Sequence, residues 1–304
     1  MSTETLVRPD VTTSVVRQER QSRRGSESTP AARIRLVIAH VCIYLAALVF
    51  MAPLVYAFFS ALKPNSEMFS MPPTLVGSEI KWSNFIDVFS YGPFATYIFN
   101  SFLVAVLGTL TVLVVSTTAG YAFGRLRWKG RDAVFVLFLA TLMVPAEVLV
   151  IPMFQVMQWF NWVNTLQALV LPFAFGAFGT FLMRQFFRGI PYELEEAARV
   201  DGAGPIRSFL QIILPLSKSA VAVLAVFTFL SFWNSYLWPL IVTVDYDTLG
   251  TLPVGLASFA GLTGTRWDLQ MAAAIISMVP TVLLVIILQK HLVKGIAMAG
   301  LGGR

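Results

Sequence analysis

Residues 36–62 form a run of 27 positions without a single Lys, Arg, Asp or Glu. As an α-helix rising ~1.5 Å per residue, the run reaches ~40 Å, more than the ~30 Å hydrocarbon core of a bilayer. A secretory signal has a shorter apolar region, ~7–15 residues, ending in a small-residue cleavage site. No convincing site of that kind is found here, so the run reads as a retained span. The signature recurs along the chain. Residues 88–124 lack the same four residue types, and Tyr91-Gly92-Pro93 moves the start of that helix to near Thr96. Residues 133–183 make 51 positions with Glu147 as the only charge, too many for one crossing. The polar stretch 158–165, with Asn161 and Asn164, divides them in two. Residues 219–244 and 269–289 add 26 and 21 more. The reading is an all-α integral membrane protein with six transmembrane helices over 36–300 and a short end, 301–304.

Composition agrees. Charged residues are 12% and hydrophobic ones 57%, whereas soluble chains carry about 25% charge. Soluble enzymes, disordered chains and disulfide scaffolds are excluded. The one cysteine, Cys42, has no internal partner and is expected to pack as a small hydrophobe. A net charge of +6 would suit nucleic acid, but its distribution points to a bilayer. Of 22 Lys and Arg, all but Lys63, Lys81 and Arg266 fall in 1–35, 124–132, 184–218 and 290–304. Basic segments alternate with segments lacking them, which by the positive-inside rule puts both termini in the cytoplasm. Segment 1–35 holds seven arginines, four acids and many Ser and Thr. It buries too little to offset its ordering entropy and reads as a mobile basic tail.

Several chemistries are absent. There is no G-x-x-x-x-G-K-[ST] loop for nucleotide, and Gly202-Ala203-Gly204 lacks the third glycine of a dinucleotide turn. The two histidines, His40 and His291, stand at opposite ends of the chain, so no His-based metal cluster forms. No serine turn accompanies His40, which reads as an ordinary helix-facing side chain. No catalytic residue or metal ligand is assigned. Glu147 is the one ionisable group well inside an apolar run. Pro145 suggests a helix that breaks and restarts, with Glu147 in the new first turn, where the positive dipole end favours a carboxylate. The residue either lines a pathway or is satisfied by that dipole or by an interhelical contact.

The segment 189–215, between the fourth and fifth spans, is the most informative. Pro191 suits a first helical position; Glu193, Glu195 and Glu196 then fall in the first turns. Glu195 and Arg199 stand at i,i+4 in the favourable order. Leu194, Ala197 and Ala198 form a small apolar face, Gly202 supplies a stop, and Pro205 starts a second short helix through Phe209, Leu210, Ile212 and Ile213. The expectation is helix, glycine turn, helix on the cytoplasmic face, with a compact alanine face flanked by acids and suited to a partner's cleft.

This segment resembles a known family. Glu196-Ala197-Ala198, three residues, Gly202, nine residues, Ile212, one residue and Leu214-Pro215 match the EAA motif of ABC importer membrane subunits at every spacing. Leu142-Met143, Pro145, Ile151-Pro152 and Asn164-Thr165 are similar to the third-span region of carbohydrate-importer permeases of the type of the maltose-transporter G subunit. Phe232-Trp233-Asn234, Trp238-Pro239-Leu240, Leu252-Pro253, Gly255 and the stretch from Pro280 to Gly295 resemble later parts of the same permeases.

The resemblance implies a permease subunit for a sugar, oligosaccharide or related polyol, in the bacterial cytoplasmic membrane. It implies a second permease, two cytoplasmic ATP-binding subunits and an external solute-binding protein as partners. This chain would bind no cofactor and would not itself be an enzyme; ATP and Mg would sit on the ATPase subunits. Coupling to the ATPase would involve Glu195, Glu196, Ala197, Ala198, Asp201, Gly202, Gly204, Ile212, Leu214 and Pro215. Glu196 would be the acidic contact, the two alanines the packing face and Gly202 the turn. The tail from Lys290 would also reach the ATPase pair, and loop 243–268 would face the binding protein. Glu147, Gln155, Trp233, Asn234, Tyr236 and Trp238 are candidates for the substrate path, since aromatic rings pack on sugars and amides bond hydroxyls. For Tyr236 and Trp238 the competing reading is an interfacial aromatic belt; for Trp233-Asn234 it is a satisfied buried pair. The alternative function is a secondary transporter or channel built on Glu147, which one acid and no visible repeat support poorly.

Overall fold

The computed structural model describes residues 30–261 and 264–301, the side chains of 31–33 and 288–301 excepted. The chain falls into two compact units, 1–58 and 59–304. The described part of the first is a single helix, α1 (Pro30–Ala61), whose last turn belongs to the second. It is apolar around its whole circumference, with Leu48, Val49 and Phe50 all exposed, the pattern of a helix that does not face water. His40 Nδ1 lies 2.7 Å from the Leu36 carbonyl, so the ring is held by its own helix. Two expectations change here. Residues 30–35, read as part of the tail, are already helical, and 1–29 lie outside the described residues. Cys42 is exposed rather than packed, the described residues of this unit forming one helix.

The second unit contains α2 (Asn84–Tyr91), α3 (Phe94–Gly124), α4 (Arg131–Ala140), α5 (Val150–Trp159), α6 (Leu166–Val170), α7 (Ala177–Arg188), α8 (Glu193–Val200), α9 (Pro205–Ser208), α10 (Lys218–Trp233), α11 (Leu237–Val242), α12 (Tyr246–Leu249), α13 (Leu252–Ala257) and α14 (Trp267–Leu301). Between the last two lies an antiparallel ribbon, β1 (Ala260–Gly261) and β2 (Gly264–Thr265), in which Ala260 pairs with Thr265. The fold is helical apart from this ribbon among the described residues. The last helix continues as backbone to Leu301, past the expected end at 289.

The centre of the unit is α3, which packs against α7 and α10, with α14 against α10. Small residues on α3 permit this. A Cβ on Gly120 would lie 2.7 Å from the Cβ of Met183, and Gly124 backs onto Arg184; glycines four apart let two apolar helices approach closely. One hydrophobic cluster gathers Val104, Val112, Phe229, Phe232, Trp233 and Leu269. A second gathers Tyr121, Met183, Phe187, Phe209, Ile213 and Leu224. The second anchors the segment that carries the motif.

Three helices are long and apolar enough to cross a membrane alone: Ile34–Ala61, Phe94–Gly124 and Trp267–Ile287. Three further candidates are bent pairs. Arg131–Met143 and Ala146–Trp159 meet at 93°, Leu166–Phe173 and Ala177–Arg188 at 46°, and Pro205–Leu216 and Lys218–Trp233 at 78°. The break read at Pro145 is present: Pro145 precedes a 3-10 turn, Ala146–Leu149, with Glu147 in it. The fifth apolar run, expected as one helix to 244, instead stops at Trp233 and resumes at Leu237. The Asn234 amide donates to the Leu230 carbonyl at 2.9 Å, and an Asx side chain competing for a helix carbonyl favours such a stop.

Candidate functional site

Helix α8 carries Glu193, Glu195 and Glu196 in its first turn and Arg199 in its last, charges that complement the dipole at both ends. It terminates in a Schellman arrangement. Gly202 has φ +78; its N–H donates to Arg199 O at 3.0 Å, and the Ala203 N–H donates to Ala198 O at 2.8 Å. The left-handed conformation at the C′ position favours glycine, so the stop read at Gly202 has a backbone cause. Gly204 then precedes α9 without strain.

Glu195 departs from its sequence reading. It is buried and turned inward, where it forms an ion pair with Nε of Arg125, a side chain with no exposed surface. Arg125 also donates from Nη1 to Ile190 O at 2.7 Å and Phe187 O at 3.2 Å, and from Nη2 to Pro191 O at 3.2 Å. Its guanidinium stands 3.8 Å over the Tyr192 ring. The Tyr121 hydroxyl is 2.9 Å from Glu195 Oε1 and 3.1 Å from Pro205 O, so its one proton serves two acceptors. Four of the five N–H donors of this guanidinium, on all three nitrogens, have acceptors in a planar fork that lysine does not reproduce. Pairing with Arg199 is thus replaced by a buried pair reaching back 70 residues. The same carbonyls explain why α8 starts at Glu193 rather than Pro191: those of Ile190 and Pro191 point to Arg125.

Two neighbours of Glu195 also differ in direction. Ala198 is buried against the protein's own interior, while Ala197 is exposed, so the two alanines do not form one outward face. Glu195 and Ala198 are therefore withdrawn as contacts for another subunit. The exposed surface instead comprises Glu193, Leu194, Glu196, Ala197, Val200 and Asp201, continued by Ile206 and Leu210. Val200 is 88% exposed and Ile206 75%, an apolar surface bordered by acids. Beyond α9 the helix widens into a π turn, Phe209–Ile213, just ahead of Pro215, which has no N–H to continue a regular ladder. Ile212 and Leu214 are half-buried and Pro215 is exposed. The fully buried Ser217 donates to Ile213 O at 2.7 Å where the chain turns into α10.

The far end of α3 holds a different segment. The Asn100 amide donates to Thr248 O and Gly250 O, each at 3.0 Å. Ser101 Oγ accepts the Leu252 N–H at 2.7 Å. Asn164, at φ 59, accepts the Val244 and Asp245 N–H groups at 2.9 and 3.0 Å. The 243–268 loop is thereby fixed to α3 and to the turn before α6.

Residues 116–298 match the model of the family described as "Binding-protein-dependent transport system inner membrane component". The chain belongs to this family. The permease is 38% identical over 268 residues to the sn-glycerol-3-phosphate transport system permease protein UgpE of Yersinia enterocolitica serotype O:8 / biotype 1B, covering 86% of this chain and 95% of that protein. It is 37% identical over the same length to UgpE of Pectobacterium atrosepticum. Its fold matches a chain in the crystal structure of a bacterial ABC transporter involved in the import of the acidic polysaccharide alginate, with a TM-score of 0.74 at 24% identity, covering 86% of this chain and 98% of that one. Membership of a binding-protein-dependent transport family removes the alternative of a secondary transporter or channel built on Glu147.

The permease's path candidates are dispersed. Glu147 and Gln155 are exposed on either side of the start of α5. Trp233 is a core residue: its Nε1 donates to Ser277 O at 3.1 Å and its ring stacks on Phe229. Trp238 is likewise buried, donating to Ala168 O at 2.8 Å beside Phe173. Both tryptophans are withdrawn as path-lining groups, since ring and N–H are used within the fold. Asn234 and Tyr236 remain exposed in the break between α10 and α11. A cleft that none of these residues lines opens instead among α3, α7 and α10, with a volume of about 270 Å³. Phe173, Phe178, Phe227, Thr228, Ser231 and Ser235 border it. The signal for it was available as three hydroxyls at i, i+3 and i+7 of the fifth apolar run, one helical face.

Proposed function

We propose that this permease is one half of the translocation unit of an ATP-driven importer for a sugar, oligosaccharide or related polyol. Glycerol phosphate falls within that class, in keeping with the names of its relatives. It crosses the bacterial inner membrane six times, each bent pair counted as one crossing, with both termini in the cytoplasm. A second permease completes the path, an external binding protein delivers solute to the 243–268 side, and two ATP-binding subunits carry ATP and Mg. The chain itself holds no cofactor and performs no catalysis. Glu196, Ala197 and the exposed Val200, with Asp201 and the turn at Gly202 and Gly204, form the surface that enters a cleft on an ATPase subunit. Closure of the ATPase pair on ATP then tilts the permease halves outward.

The observation that carries this reading is the ordered helix–Gly202–helix of the matched family region, with an apolar, acid-bordered face left outside. The test is purification of the tagged chain from its native membrane, as wild type, Glu196→Lys and Gly202→Asp. Wild type is expected to bring an ATPase subunit and a second permease, and both variants to lose the ATPase while keeping the permease. A chain that purifies alone, or variants that retain the ATPase like wild type, would overturn the reading.

A further inference from the structure

Arg125 is a charge with no surface, four residues after Tyr121 at the end of the most central helix. A buried guanidinium is costly unless its charge and all its donors are matched. Here the charge and four of the five N–H donors are matched by the carboxylate of α8, the last turn of α7 and the α7–α8 connection, while Tyr121 ties the same carboxylate to the start of α9. The Tyr192 ring, ahead of α8, covers one face of the guanidinium, and its hydroxyl donates to Gly124 O at 3.3 Å. Next to it, Arg184 of α7 donates to Phe123 O at 3.1 Å and to Asp132 at 3.2 Å. On this side α8 is joined to α3 and α7 by charge and hydrogen bonds, and α3 to α7 by close glycine packing. On its other side the chain leaves through Gly202, a π turn and a 78° bend, features associated with hinges and kinks.

We infer that Arg125 is a positioning residue that makes α8 a rigid extension of α3 and α7. A push on the exposed face of α8 is passed to the α3–α7 pair at Arg125, and the bending is taken up beyond Ile213, at the 78° break between Leu216 and Lys218. The inference rests on the importer reading, because it presumes an ATPase acting on α8. Mutual bias between two distant sites requires a physically continuous element, and this clamp supplies its first link.

The experiment uses the complete transporter purified on the tagged chain. Nitroxides are placed at Val114→Cys and at Arg199→Cys, outside the surface proposed to meet the ATPase, in a Cys42→Ser background, and their distance distribution is recorded without nucleotide and with ATP and Mg. Both sites are exposed, on α3 and α8. Wild type is expected to keep the ATPase and to give the same narrow distribution in both conditions. Tyr121→Phe, which removes one hydroxyl, and Arg125→Lys, which keeps the charge and loses the fork, are expected to keep the ATPase. In both, ATP is expected to broaden or shift the distribution. The effect of Arg125→Lys on the fraction of displaced α8 is expected to be about tenfold. A wild-type distribution that moves with ATP overturns the inference, as do variants that behave like wild type. Variants that lose the ATPase also overturn it, since the clamp would then serve only to fold α8. Wild type without an ATPase is the separate failure of the importer reading.

Discussion

Asn100, in the first third of α3, gives both amide hydrogens to carbonyls of Thr248 and Gly250, almost 150 residues further along the chain. Its oxygen has no such role, so the contact depends on the two donors. Asn100→Leu removes the donor from the part-buried Thr248 carbonyl and from the buried Gly250 carbonyl, the latter costing about 1–3 kcal/mol. The variant is expected to melt several degrees lower in detergent and to be cut faster by protease between 243 and 252. Unchanged melting would show that water replaces the amide.

Glycines on this chain separate into two kinds. A Cβ at Gly120 has no room against Met183, whereas at Gly204 nothing lies within 4 Å. Gly120→Ala must push α3 from α7 and is expected to destabilise by about 1–3 kcal/mol. Gly204→Ala is expected to stay within about 0.5 kcal/mol of wild type. Gly202→Ala, at positive φ, is expected to cost about 1–2 kcal/mol, and Gly202→Asn less. Thermal unfolding of the purified series checks the order.

Trp233 and Trp238 were read as path candidates and are found in the core. Trp238→Phe removes the bond to Ala168 O and is expected to lower stability by about 1 kcal/mol. The concentration of solute giving half-maximal uptake is expected to stay unchanged. Ser231→Val, in the cleft among α3, α7 and α10, is expected to do the reverse. Uptake kinetics paired with melting temperatures separate the two; a Trp238→Phe change in half-saturation without loss of stability would return that ring to the path.

Glu67 lies on the loop after α1, where the Ser78 hydroxyl and the Ser78 N–H, the latter at 2.8 Å, both donate to its carboxylate. The hydroxyl bond, then the backbone bond, hold its pKa below the ordinary value. A depressed carboxylate pKa contributes loop stability that is present above the ordinary value and lost as pH falls through the folded one. The protection factor of the Ser78 amide, its exchange slowed relative to the intrinsic rate at the same pH, is therefore expected to fall between about pH 5 and about pH 3, and Glu67→Gln to abolish that fall. A protection factor with no such dependence in wild type would refute it.

The long apolar helices were legible because a bilayer imposes a one-dimensional rule: an apolar stretch must be long enough, and nothing distant enters. The breaks at Tyr91-Gly92-Pro93 and Pro145 were legible for a similar reason, since proline acts on its own neighbours. The helix stop at Gly202 belongs with them, being a single-residue backbone preference. Bend angles were not legible. Neither was the stop at Asn234, where a side chain had two available partners.

The segment 189–215 divides along the same line. Local spacing determined that 193–208 is helix, turn and helix, that acids gather at its start, and that its pattern is that of an importer permease. Only the tertiary structure decided which acid is paired and which stays exposed. At i,i+4, Arg199 is within reach of Glu195, yet a solvent-exposed pair is worth little. Arg125 is buried, and a buried charge has to be matched, so the carboxylate goes to the partner 70 residues away and leaves Glu196 outside. Sequence patterns register what neighbours along the chain prefer; which residue answers a desolvated charge depends on what the packed helices bring beside it.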